Sequence, residues 1–144
     1  MRQWLWRALL LIAFAAIAPA CGSSSSSTPT TPTTVPTVLT ETFSGTLLKN
    51  AAYTHPFSVS DAGDVSVFLL QSANPANPDN AIPIGVSLGT WNGVSCAIVI
   101  ANDNISPGAS ITGRATAAGN LCVRVYDVGF VPGSANYELL IDHY

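Results

Sequence analysis

Gly85-Val86-Ser87-Leu88-Gly89 sets a serine between two glycines at the spacing of a nucleophile elbow. Asp127 and His143 follow in the chain order a serine hydrolase uses. The context is wrong for that chemistry. An elbow needs a strand, a sharp turn and a helix, whereas Thr90-Trp91-Asn92-Gly93 leads into a hairpin turn. Val86 and Leu88 alternate with Ser87 as in a strand with one apolar face. A serine hydrolase through Ser87 is therefore the minor alternative, and the expectation is a protein that is not an enzyme. His55 and His143 are single histidines on strand patterns, which suits a surface or hydrogen-bonded role. Asp61, Asp64, Asp79, Asp103 and Asp127 all fall in or beside turns. Oxygen-rich loops of that kind could hold calcium, but Asp is also favoured in turns for backbone reasons. No cofactor is expected. Trp91, Tyr126 and Phe130, with Tyr144, are candidates for an aromatic platform that would bind a sugar, set against ordinary packing.

Three cysteines complete the reactive inventory. Cys21 sits apart, near the N-terminus, leaving Cys96 and Cys122 as a pair. Two separated cysteines and two isolated histidines do not make a zinc spacing. In an exported protein the even remainder points to a disulfide. Closing a loop of about 26 residues would stabilise the fold by about 3–4 kcal/mol.

These residues need a scaffold, and the composition says which kind. Charged residues are only 9% of the 144, and the net charge is −3. Ser, Thr, Gly, Pro and Val favour turns and short strands over helices. The cations of the folded part, Lys49, Arg114 and Arg124, are scattered, so there is no basic patch for nucleic acid. From Val38 onward, alternating runs are separated by turn residues. Leu39 to Leu48, Tyr53 to Val59, Val65 to Leu69, Ile84 to Thr90, Cys96 to Ala101 and Ser110 to Ala115 read as strands. Leu121, Val123 and Val125 alternate with Cys122, Arg124 and Tyr126. Asp127 to Gly129 turns the chain, and Tyr137, Leu139 and Ile141 begin a second alternation. Asn74 to Asn80 reads as a loop. Cys96 to Ala101 is apolar throughout, as for a strand covered on both faces. About eight strands with regular turn signals predict an antiparallel β-sandwich, jelly-roll-like, over 38–144.

The N-terminus is organised differently. Arg2 and Arg7 precede an apolar run from Ala8 to Ala18, and Ala18-Pro19-Ala20 offers small residues for cleavage, so 1–20 reads as a signal peptide. The placing of Cys21 next to them resembles a bacterial lipoprotein signal, which implies lipidation of Cys21 and a membrane anchor through its acyl chains. Gly22, where an Asp would retain such a protein at the inner membrane, implies the outer membrane. Ordinary secretory cleavage would instead leave a soluble product. The Ser/Thr/Pro tract that completes 21–37 has almost nothing to bury and reads as a disordered tether, or a glycosylated stalk. It would reach about 50 Å at ~3.1 Å per residue.

Phe43-Ser44-Gly45-Thr46, the turn and apolar strand from Asp61 to Leu70, Gly119 to Asp127, and Tyr137 to Ile141 together resemble the bacterial pre-peptidase C-terminal domain family. Leu121 stands where Tyr is common in that pattern. The resemblance implies a non-catalytic, surface-exposed module of jelly-roll type. Some members bind calcium or extracellular polymers, and no ligand position of theirs can be matched here. The function expected from the whole chain is a lipid-anchored envelope module that binds a surface polysaccharide or protein. The second reading is a structural envelope lipoprotein with no small ligand.

Overall fold

The structure is a computed structural model and describes residues 35–144. The expected signal peptide, Cys21 and most of the tether lie outside the described residues. The described chain is all β, in nine strands: β1 (Leu39–Leu48), β2 (Ala52–Val59), β3 (Gly63–Asn74), β4 (Asn77–Ala81), β5 (Ile84–Trp91), β6 (Cys96–Ile105), β7 (Ser110–Ala115), β8 (Gly119–Tyr126) and β9 (Ser134–His143). They form two antiparallel sheets. The first has the order β1-β9-β3, with β7 and β4 both on the far side of β3; the second runs β2-β8-β5-β6. The long β3 allows the sharing, pairing with β7 from Gly63 to Phe68 and with β4 at Ala73 and Asn74. Successive strands cross repeatedly from one sheet to the other, which is the winding of a jelly roll.

Alternation explains why these segments pair face to face. Leu47 of β1, Phe57 and Val59 of β2, Val65, Val67 and Leu69 of β3, Val86 and Leu88 of β5, Val123 and Val125 of β8, and Leu139 and Ile141 of β9 are all buried and form one core. Every core residue lies between Leu47 and Ile141, and the disulfide lies within the same span. The part from Val38 onward thus holds what it needs to fold by itself.

Four features differ from the sequence expectation. The strands number nine, because the short β4 forms inside the turn-rich Asn74 to Asn80 segment, where Asn74 and Asn77 pair across a tight reversal. The turn expected from Asp103 begins later, since β6 runs on to Ile105. The alternations of β8 and β9 are not two arms of one hairpin, because they belong to opposite sheets. Strand β6 is an edge strand rather than a covered one: Ile98 and Val99 are exposed, and β5 is the strand whose backbone ladder pairs with it. An apolar run without period cannot reveal which neighbours a strand has.

The Asp127 turn between β8 and β9 has a specific cause. The Asp127 carboxylate accepts from the backbone N–H groups of Asn50 (2.8 Å), Gly129 (2.7 Å) and Val131 (3.1 Å). Asn50 has a positive φ of 58°, an uncommon conformation outside glycine, and this bond holds it there. Partial burial pushes the carboxyl upward, but the backbone amides outweigh it and keep Asp127 below its ordinary pKa.

Candidate functional site

The outer face of the β2-β8-β5-β6 sheet carries the richest set of side chains. Its shape follows from β5. The inward positions of β5 are Val86 and Leu88; the outward ones are Gly85, Ser87, Gly89 and Trp91. Three small residues followed by a tryptophan leave a flat trough that ends in a large ring. Side chains from β8 and backbone from β6 fill the trough. The Tyr126 ring lies over Gly85, where an added Cβ would come within 2.3 Å of it. The Ala97 carbonyl lies over Gly89, where an added Cβ would be 2.2 Å from the oxygen. Ser87, between them, is fully buried, and its hydroxyl points to the Arg124 carbonyl at 3.5 Å.

The Gly-x-Ser-x-Gly spacing therefore serves packing. The three residues of the hydrolase alternative do not meet. Asp127 is engaged by the backbone amides described above. His143 is buried beneath the other sheet, with Nε2 2.9 Å from Glu41 Oε1 and its ring against Phe57. His55 lies on β2, between Phe43 and Tyr137, with Nε2 2.8 Å from the Tyr137 hydroxyl. Burial lowers its pKa, which favours the neutral ring.

Two links tie β6 to β8 across the trough. Cys96 and Cys122 form a disulfide with a Cα–Cα distance of 5.8 Å. Their strands are not neighbours, since β5 runs between them. Cys122 pairs directly with Gly89 of β5, and the backbone of Ala97, next to Cys96, lies over that glycine, where a side chain would stand in the way. At the other end, the Tyr126 hydroxyl donates to Asp103 Oδ1 on β6. Burial, reinforced by the bond to Asp103 and that residue's charge, pushes the Tyr126 pKa up to about 12, against an opposing pull from Arg124. The folded state thus holds this proton more tightly than an unfolded chain, where tyrosine titrates near 10. The stabilisation is complete below about pH 10 and is lost as pH rises towards 12. Ultraviolet titration of phenolate is expected to show two late-titrating tyrosines, Tyr126 and Tyr137, whose pKa burial also raises, and Asp103→Asn is expected to bring the Tyr126 step alone back towards the ordinary value.

Trp91, half-buried at the end of β5, divides two concavities. One, of about 470 Å3, is lined by Pro56, Ser58, Asn120, Asn92 and Gly93. The other, of about 360 Å3, is lined by Thr54, Arg124, Val94, Ser95 and Cys96. The β5–β6 hairpin that rims both is held by Asn92, whose side-chain oxygen accepts from the N–H groups of Val94 (2.9 Å) and Ser95 (2.8 Å). Ser58 donates to Asn120 across the floor at 2.8 Å. Arg124 has no carboxylate partner among the described residues; its guanidinium stacks 5.5 Å from the Tyr126 ring centre.

The three candidate aromatics are only partly brought together. Trp91 and Tyr126 share this face, but Gly85 pairs with Tyr126 and Thr90 with Leu121, so they are separated by most of β8, about 20 Å at ~3.3 Å per residue. Phe130 is exposed on the loop beyond Tyr126. Tyr144 packs over Gly63 instead. Thr54, Ser58, Asn120 and Arg124 line the concavities without having been singled out in the sequence. They alternate outward on β2 and β8, and only the register of those strands sets them beside Trp91. The five turn aspartates are engaged separately or stand apart: Asp64 pairs with Arg114 at 2.8 Å, Asp103 with Tyr126, and Asp61 with Ser60. Among the described residues no group of three or more metal-ligating side chains gathers.

No family model matches this chain, that of the pre-peptidase C-terminal domain included, and no curated protein matches it. A solved structure titled "Bacillus endospore appendages form a novel family of disulfide-linked pili" is similar at 11% identity. The match covers 74% of this chain and 88% of that one, with a TM-score of 0.38. A likeness at that level carries no argument about function.

Proposed function

We propose that this chain is a non-catalytic module of the cell envelope that holds an extracellular polysaccharide against the outer face of the β2-β8-β5-β6 sheet. The observation that carries this reading is Trp91, half-buried between two concavities lined by Ser, Thr, Asn and Arg side chains. A pyranose ring presents an apolar C–H face suited to an indole ring and a rim of hydroxyls suited to such polar groups.

The remaining parts fit that role. A signal peptide over 1–20 would export the chain, lipid on Cys21 would anchor it at the outer membrane, and the tract to residue 37 would hold the sandwich away from the lipid. The disulfide suits an oxidising compartment. The likeness of the strand motifs to the pre-peptidase C-terminal domain agrees with a surface module of this kind. Mass spectrometry of the mature N-terminus tests the anchor, with a lipid-modified Cys21 as the expected result.

The ligand is tested with the 38–144 fragment on an array of bacterial surface glycans. Binding to at least one polymer is expected, and Trp91→Ala is expected to weaken it by about 2 kcal/mol, about 30-fold, with the circular dichroism unchanged. Binding that ignores the substitution would move the ligand to another surface. No binding to any glycan would favour a protein partner or a scaffolding role.

A further inference from the structure

The sandwich has five strands at its sheet edges, and four carry a proline or a charge that opposes pairing with another chain. Strand β1 has Glu41, and β2 has Pro56, which offers no N–H, in its middle. Strand β4 is short and holds Pro78 and Asp79; β7 is short and holds Arg114. Strand β6 is ten residues long, with no proline and no charge from Cys96 to Asn102. Its hydrogen-bonding partner is β5 alone, so its other edge is unpaired. Val94, Ile98 and Val99 on this hairpin are exposed by 87%, 47% and 72%. A long apolar edge of this kind invites strand pairing.

The residues say what would pair with it. Ala97-Ile98-Val99-Ile100-Ala101 reads the same in both directions. An antiparallel copy centred on Val99 sets Val99 opposite Val99, Ile98 opposite Ile100 and Ala97 opposite Ala101. Beyond that, Cys96 meets Asn102 and Ser95 meets Asp103, so no like charges are opposed. Cross-strand β-branched pairs of this type are stabilising, and a two-fold contact is self-limiting. The ladder to β5 shifts between Leu88 and Gly89, leaving Val99 without a partner on its own sheet. A bulge commonly turns an edge away from pairing. Here the residue left unpaired, Val99, is 72% exposed and lies at the centre of the palindrome.

We propose that β6 is a homotypic pairing edge through which two copies of this protein join antiparallel about Val99, continuing one sheet across both. Sedimentation of the 38–144 fragment over a range of concentrations is expected to show a monomer passing to a dimer. Val99→Lys is expected to keep the monomer throughout with an unchanged melting temperature, as Val99 is exposed. Val99→Cys is expected to cross-link to its own copy on oxidation while the Cys96–Cys122 bridge stays intact by mass spectrometry, and Val94→Cys is not. A wild-type fragment that stays monomeric at every concentration overturns the proposal. So does a dimer that survives Val99→Lys, or one that cross-links through position 94 and not 99.

Discussion

Replacing Cys96 and Cys122 together by alanine lowers the stability of the sandwich by about 3–4 kcal/mol and its melting temperature by about 12–16 °C. The size comes from the chain. The bridge closes 26 residues, and freeing that loop returns its closure entropy to the unfolded state. The loss is large for this domain because of where the bridge sits. It joins an edge strand, β6, to a central strand, β8, across the intervening β5. Without it, β6 keeps its ladder to β5 and the Tyr126–Asp103 bond. Urea unfolding measures the loss, with the midpoint moving and the slope constant if the native state stays compact. Amide exchange is expected to speed up first in β6. A stability change below about 1 kcal/mol would show that the bridge is incidental to the fold.

Gly89→Ala is expected to cost about 3 kcal/mol or more, although it adds a single methyl group. Overpacking costs about 1–3 kcal/mol where neighbouring side chains can yield. Here the obstacle is backbone: the new Cβ would lie 2.2 Å from the Ala97 carbonyl oxygen and 2.9 Å from the Ile98 Cα. Relief requires β6 to lift from the face, and the disulfide beside Gly89 opposes that movement. The two effects are therefore coupled. In a chain already lacking Cys96 and Cys122, Gly89→Ala is expected to cost less, because β6 can then move away. A double-mutant cycle in chemical denaturation reads this directly. Strictly additive losses would mean that the strand and the bridge do not share the strain. Gly85 makes a useful contrast, since its obstacle is the Tyr126 side chain, which can rotate and give up its bond to Asp103.

The two substitutions mark the limit of sequence reading. Gly85, Ser87 and Gly89 were visible as a pattern, and the pattern had a catalytic meaning available. Its structural meaning depends on what lies above each small residue, and that comes from β8 and from β6. Nothing local to residues 85–89 encodes Tyr126 or Ala97. The aromatics behaved in the same way. Trp91 stood out by type, but its polar neighbours Thr54, Ser58, Asn120 and Arg124 are ordinary strand residues until β2 is set against β8 in a particular register. A shift of one residue would turn those side chains into the core and bring Phe57 and Val123 out.

The sequence by itself determined the all-β class, the positions of most strands and turns, and the inward face of each alternating strand. It did so because side chains alternate along a strand with a period of two and buried positions must be apolar. It also made the pairing of Cys96 with Cys122 the economical choice, since these two cysteines remain once Cys21 is set apart. Only the tertiary structure decided that β6 lies at an edge, that the bridge joins the strands on either side of β5, and that β8 and β9 lie in opposite sheets. Strand order and cross-strand register arise from contacts between segments far apart in the chain, and the period of one strand carries no record of its neighbours.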